Sequence, residues 1–165
     1  MKTLSVKNPW AMWICSGIKD VENRTWKTNF RGRVLIHAST KMDNIGQIVD
    51  EYLDDNMYYD VQCIQEKLKE LAYNYKIKET NGAIIGSVEI IDCVINYNSP
   101  WAEQTPMSTL GDYELPTNDK VIYNWVLKNP ELFTIPIFNV KGKLNLWEYD
   151  GDFPEGLQSI VMTKK

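Results

Sequence analysis

The chain has 165 residues, 44% of them hydrophobic and 24% charged, enough for one soluble domain with its own core. A net charge of −4 and a pI near 5.1 exclude attraction of polyanions by global charge alone. The opening MKTLSVKNPWAMWICSGI has no apolar run long enough for a signal peptide or a membrane span.

In chain order, TLSV (3–6) predicts a short strand. NPWAMWICSGIK then predicts a helix, with Asn8 as cap, Pro9 in the first turn and Gly17 at the end. Trp10, Trp13, Ile14 and Ile18 are spaced to share its buried face. RGRVLIHAS (31–39) alternates as a half-buried strand. The periodicity then becomes helical. Ile45, Ile48, Val49, Tyr52 and Leu53 mark one helix, and Val61, Ile64, Leu68, Leu71, Ala72 and Tyr75 mark a second. GAIIGSVEIIDCVIN (82–96) is the strongest strand signal, with Gly86 at a bulge.

Residues 97–119 are polar and contain prolines, which predicts a long surface excursion of the kind that often carries function. KVIYNWVL (120–127) and KGKLNLWEYD (141–150) predict two further strands, separated by KNPELFTIPIF. The expectation is a single α+β domain over 1–165, a small β-barrel of about five to six strands with peripheral helices.

The charge is unevenly placed. Residues 1–41 hold eight lysines and arginines against two acids, a local net charge of +6, which points to an anionic partner on one face. The densest part is GIKDVENRTW (17–26). Lys19 and Arg24 supply cationic donors, the arginine able to grip a phosphate or a base edge with two nitrogens. Glu22 can accept from an exocyclic amino group or hold the two cations, and Trp10 and Trp26 offer faces on which bases can stack. Glu89 lies within a strand of Ile and Val. Alternation places it with Ile85, Ser87, Ile91 and Cys93, so it is expected to be buried beside a cation, Lys19 or Arg24. Arg31 and Arg33 read as solvated turn charges, and His37, the sole histidine, as a packed and hydrogen-bonded core residue.

With one histidine and no CxxC pair, no metal site and no cofactor are expected. Cys15, Cys63 and Cys93 read as reduced, buried thiols of a cytoplasmic protein.

These residues carry a resemblance. The Pro-Trp after the first strand, the G-x-K-x-x-E-x-R-x-W of residues 17–26 and the Arg-Gly leading into the next strand resemble the opening of an ASCH domain. That family belongs to the PUA-like β-barrel superfamily. GAIIGSVEIIDC is similar to its second signature strand, and YNWVLKNPELF and KGKLNLWEYD resemble its closing strands. The segment at about 43–78 looks like a variable helical insertion.

The resemblance implies a pocket that binds RNA, single-stranded nucleic acid or a nucleotide, formed here by Trp10, Lys19, Glu22, Arg24, Trp26 and Glu89. It also implies two enzymatic alternatives, hydrolysis of acylated cytidine nucleosides and ribonuclease action, with Lys19, Glu22 and Glu89 as the catalytic set. The amidohydrolase pattern has a threonine where this chain has Glu22, so a carboxylate stands in place of the hydroxyl nucleophile. A third alternative is a protein-interaction module built on the acidic helices of 43–78.

Overall fold

Three long strands rich in β-branched residues organise the molecule, and both faces of their sheet are covered. The computed structural model describes residues 1–44, 77–110, 113–116 and 120–153. Its elements are β1 (Lys2–Asn8), α1 (Trp10–Cys15), β2 (Val21–Arg24), β3 (Gly32–Met42), β4 (Ala83–Val94), β5 (Met107–Leu110), β6 (Tyr113–Pro116), β7 (Tyr123–Ile137) and β8 (Leu146–Glu148), with a 3-10 turn at Ile77–Thr80. The main sheet runs β2-β7-β4-β3-β1-β8, and β5 and β6 form a separate hairpin. β1 and β3 are parallel, and the other pairs in the sheet are antiparallel.

Period-two alternation sorts the side chains. Val34, Ile36, Val88 and Ile90 face the main core with Trp13, Ile14 and Trp125. Leu35, Ile84, Phe133 and Ile137 face the other side, where Met1, Val140, Tyr149 and Phe153 pack over them. Burial on both faces explains why the β3 and β4 sequences read as near-continuous apolar runs.

Helix α1 ends as the glycine predicts. Gly17 adopts φ +75°, the Gly17 amide donates to the Ile14 carbonyl at 3.1 Å, and the Ile18 amide donates to the Trp13 carbonyl at 2.9 Å. This double closure is a Schellman motif, with Ile18 packed back against the core that holds Trp13. The start differs from expectation. Asn8 does not cap the helix; its amide donates to Thr80 Oγ1 at 3.0 Å and Asn81 Oδ1 at 2.8 Å, and the Asn8–Pro9 peptide is cis.

The sheet is not closed into a barrel. No ladder joins β2 to β8 among the described residues, and these edge strands, four and three residues long, are too short to zip together. A side chain spans the gap instead: Arg24 Nη2 of β2 donates to the Ser5 carbonyl of β1 at 2.9 Å, beyond the point where β8 stops pairing.

Other elements also depart from the sequence reading. The segment 120–137 holds one strand of fifteen residues rather than a strand and a connection. Asn129 (φ 49°) and Pro130 fall at a register shift against β4, where a proline withdraws no needed donor. Residues 97–119 contain the β5–β6 hairpin, part of 17–26 is the edge strand β2, and the strand expected at 141–150 is reduced to Leu146–Glu148. The helices expected between 45 and 75, and Cys63, lie outside the described residues. Cys15 and Cys93 are buried free thiols, and burial pushes the Cys15 thiol far above its ordinary pKa.

Gly86 does sit at a register shift, and it makes room for α1. A Cβ there would lie 2.6 Å from Cys15 Sγ and closer still to the Glu131 carbonyl oxygen. Backbone cannot yield as a side chain can. Gly86→Ala should therefore destabilise by about 1–3 kcal/mol, read as a lower urea midpoint. An unchanged midpoint would contradict this packing of helix on sheet.

Candidate functional site

The turn after α1 aims Lys19. The Trp13 carbonyl accepts from the Lys19 amide at 3.1 Å as well as from Ile18, so the chain folds back under the helix end. The Lys19 side chain is only 4% exposed. Its ammonium donates to the Val21 carbonyl and to Glu22 Oε2, the latter at 3.3 Å, and lies 5.7 Å from the centroid of the Trp10 ring. That geometry is a cation–π contact.

Glu22 and Arg24 stand two residues apart on β2 and share a face. Register places Glu22 opposite Trp125 and Arg24 opposite Tyr123, which are part of the main core or packed against it. Both charged side chains therefore turn inward. The Glu22 carboxylate, 10% exposed, divides its oxygens: Oε2 holds Lys19, and Oε1 holds Arg24 Nη2 at 3.0 Å. Arg24 Nε is buried without a hydrogen-bond partner. Two cations thus share one carboxylate beneath the surface.

Trp10 borders this cluster at Lys19, and other tryptophans pack on Trp10 or elsewhere on the main core. Trp10 is partly exposed, stands edge-on to Trp13 at 5.0 Å, and donates its indole N–H to Asp43 Oδ2 at 3.2 Å. Trp101, 5% exposed, packs on Trp13 at 5.6 Å and on Trp10 at 6.3 Å. Trp26 is also partly exposed and packs edge-on to the buried Trp125 at 4.5 Å.

An asparagine pair secures the 97–105 segment that brings Trp101 in. Asn23 donates to the Trp101 carbonyl at 2.8 Å and accepts from Asn124 at 2.9 Å, while buried Asn124 accepts from the Tyr97 amide at 2.9 Å. Sequence reasoning missed Trp101, Asn23, Asn124 and Asp43. A second Pro-Trp at 100–101 was the available signal.

Glu89 is placed elsewhere. It pairs with Arg33 at 2.9 Å and accepts from Asn129 at 2.8 Å, on the face opposite Val34 and Val88. The partner expected from the sequence, Lys19 or Arg24, is replaced by Arg33. Register shifts in β4 are the reason, because they turn Ile85 and Cys93 into the main core while Ser87 and Glu89 take the opposite face of the sheet. Arg33 is correspondingly no solvated turn charge. Its side chain is 6% exposed and also meets Ser87 at 2.8 Å and Glu131 at 3.6 Å. Arg31, more exposed, pairs with Asp92 at 2.9 Å. The structure thus brings Trp10, Lys19, Glu22 and Arg24 together and leaves Glu89 on the other side of the sheet.

A sequence profile of the ASCH domain matches residues 4–137. The chain belongs to the ASCH domain family. The matched span contains Trp10, Lys19, Glu22, Arg24, Trp26 and Glu89, and stops before residues 140–148 of the chain. Activating signal cointegrator 1 of Homo sapiens and that of Mus musculus are each 26% identical to it over 159 residues, 96% of this chain and 24% of the relative. The chain spans about a quarter of the length of these curated relatives.

Among the described residues of the ASCH domain, no three His, Cys, Asp or Glu side chains gather as a metal-ligand set, and no helix is long and apolar enough to cross a membrane. His37 is buried as expected, with Nε2 2.9 Å from the Val140 carbonyl. Burial lowers its pKa below 6.5, partly offset by that hydrogen bond.

Two expectations follow from these charges. Glu22→Gln keeps the shape and removes the shared counter-ion, so it should cost about 3–5 kcal/mol in urea unfolding. Glu89→Gln should cost less, because its side chain is 28% exposed and Arg33 retains Glu131. Equal losses would contradict the arrangement.

The second concerns pH. The unfolded chain takes up the His37 proton more readily than the folded one. Stability should therefore be full above about pH 6.5 and fall as pH drops through the lower folded value. Asp92, held down by the Cys93 amide and Arg31, and Glu148, held down by Lys2, act at more acidic pH. With one histidine in the chain, urea midpoints between neutral pH and about pH 5 isolate its effect, and a flat profile would contradict it.

Proposed function

We propose that this ASCH domain binds a nucleotide, or a base and phosphate of single-stranded nucleic acid, through Trp10, Lys19, Glu22, Arg24 and Trp26. The observation that carries the reading is the sharing of one buried carboxylate by two cations, beside a partly exposed tryptophan. Such a cluster is a poor source of stability, since desolvating three charges offsets most of their attraction. It does leave a local positive charge and an unpartnered Arg24 Nε, which suit a phosphate oxygen or a base acceptor. Trp10 and Trp26 offer stacking faces.

The hydrolytic alternatives draw less support. The Lys19 ammonium is already committed to the Val21 carbonyl, Glu22 and the Trp10 face, the hydroxyl nucleophile is absent, and Glu89 lies across the sheet. Binding without turnover fits this geometry best.

Titration of a short single-stranded oligonucleotide against salt tests the proposal. Contact with about two phosphates predicts a log–log slope of roughly −1 to −2. Trp10→Leu should weaken binding by about 1–3 kcal/mol, the value of one stacked base. Absence of binding to any oligonucleotide or nucleotide by the folded protein would overturn the reading, as would full affinity in Trp10→Leu.

A further inference from the structure

A cavity of about 430 Å³ opens between β1, β3 and the segment 140–144, within the size range of small-ligand sites. Ser5, His37, Ser39, Thr40, Lys141 and Lys143 supply its polar lining, and none of its lining residues carries a carboxylate. Residues 140–144 lie beyond the span that the ASCH profile matches.

The inner end of the cavity has a defined hydrogen-bonding pattern. His37 is 1% exposed. A carbonyl can only accept, so the 2.9 Å contact with Val140 fixes the proton on His37 Nε2. Nδ1 of the neutral ring is then a bare acceptor, and it is buried without a partner. Ser5 Oγ accepts from the Trp147 indole N–H at 3.1 Å, which leaves its own hydrogen to donate. These two groups converge beside Gly142. A Cβ built on that glycine would lie 2.8 Å from His37 Nδ1 and 3.0 Å from Ser5 Oγ, so the backbone of residue 142 can pack this closely on them only as glycine.

One ligand group satisfies an acceptor and a donor side by side, namely a hydroxyl. At the rim, Lys141 and Lys143 are exposed, with the Lys143 ammonium 5.4 Å from the Trp147 ring centroid, and Ser39 and Thr40 add hydroxyls. Two lysines with hydroxyls and no opposing acid are a phosphate-binding set. From this geometry we infer that the His37 cavity is a second ligand site, which takes a phosphorylated sugar with a hydroxyl on His37 and Ser5 and the phosphate on Lys141 and Lys143. The Lys19–Glu22–Arg24 cluster contributes none of its lining residues and meets it only at the Ser5 carbonyl, which accepts from Arg24.

The sole histidine gives a single imidazole signal, which makes the site directly observable. Titration of the intact chain with ribose 5-phosphate, followed by nitrogen-15 NMR of that ring, should move the Nδ1 resonance with a Kd of about 1 mM or tighter. Inorganic phosphate and unphosphorylated ribose should each move it less. Lys141→Gln combined with Lys143→Gln, both at exposed positions, should weaken ribose 5-phosphate about tenfold. Trp10→Leu should leave this binding unchanged, which separates the site from the one proposed above. An Nδ1 signal unmoved by ribose 5-phosphate would overturn the inference. So would equal shifts with inorganic phosphate, or full affinity in the double lysine variant.

Discussion

One carboxylate holds this site together. Glu22 gives one oxygen to Lys19 and the other to Arg24, and Arg24 passes the connection on to the Ser5 carbonyl across the open end of the sheet. Three elements are tied by this chain of contacts: the turn after α1, the edge strand β2 and the far strand β1. Backbone pairing alone cannot close the sheet, because β2 and β8 are short. The charged side chains do what a ladder would do in a closed barrel, and they leave a polar, cationic gap instead of a sealed seam.

The surrounding structure reads as support for that gap. The Schellman closure at Gly17 sets the direction of Lys19. Gly86 lets α1 settle on β4, which holds Trp10 and Trp13 at the right height. The Asn23–Asn124 pair draws the 97–105 segment inward and seats Trp101 against them. Each of these is a local device with a definite hydrogen bond or contact. Together they place the Trp10 ring beside two cations and one acid, the arrangement on which the proposed binding rests.

Local relations were legible in the sequence and distant ones were not. Lys19, Glu22 and Arg24 lie within six residues, so their pairing could be read directly from spacing. The end of α1 was legible in Gly17 for the same reason. Glu89 was not, because alternation counts from a fixed register and β4 carries bulges that change which side chains face the core. Asn129 and Pro130 look like a break in the sequence, yet β7 absorbs them at a register shift and continues. Arg33 looked solvated only because the start of β3 could not be fixed to the residue. The His37 cavity depends on Gly142, more than a hundred positions away, and no periodicity links them.

The most direct measurement is a crystal structure of the protein with a nucleoside monophosphate. The account predicts ligand density between the Trp10 ring and the Arg24 guanidinium, with an acceptor atom on Arg24 Nε and Glu22 still bridging Lys19 and Arg24. Ordered ligand density elsewhere on the molecule, with the Trp10 face and Arg24 Nε uncontacted, would contradict it.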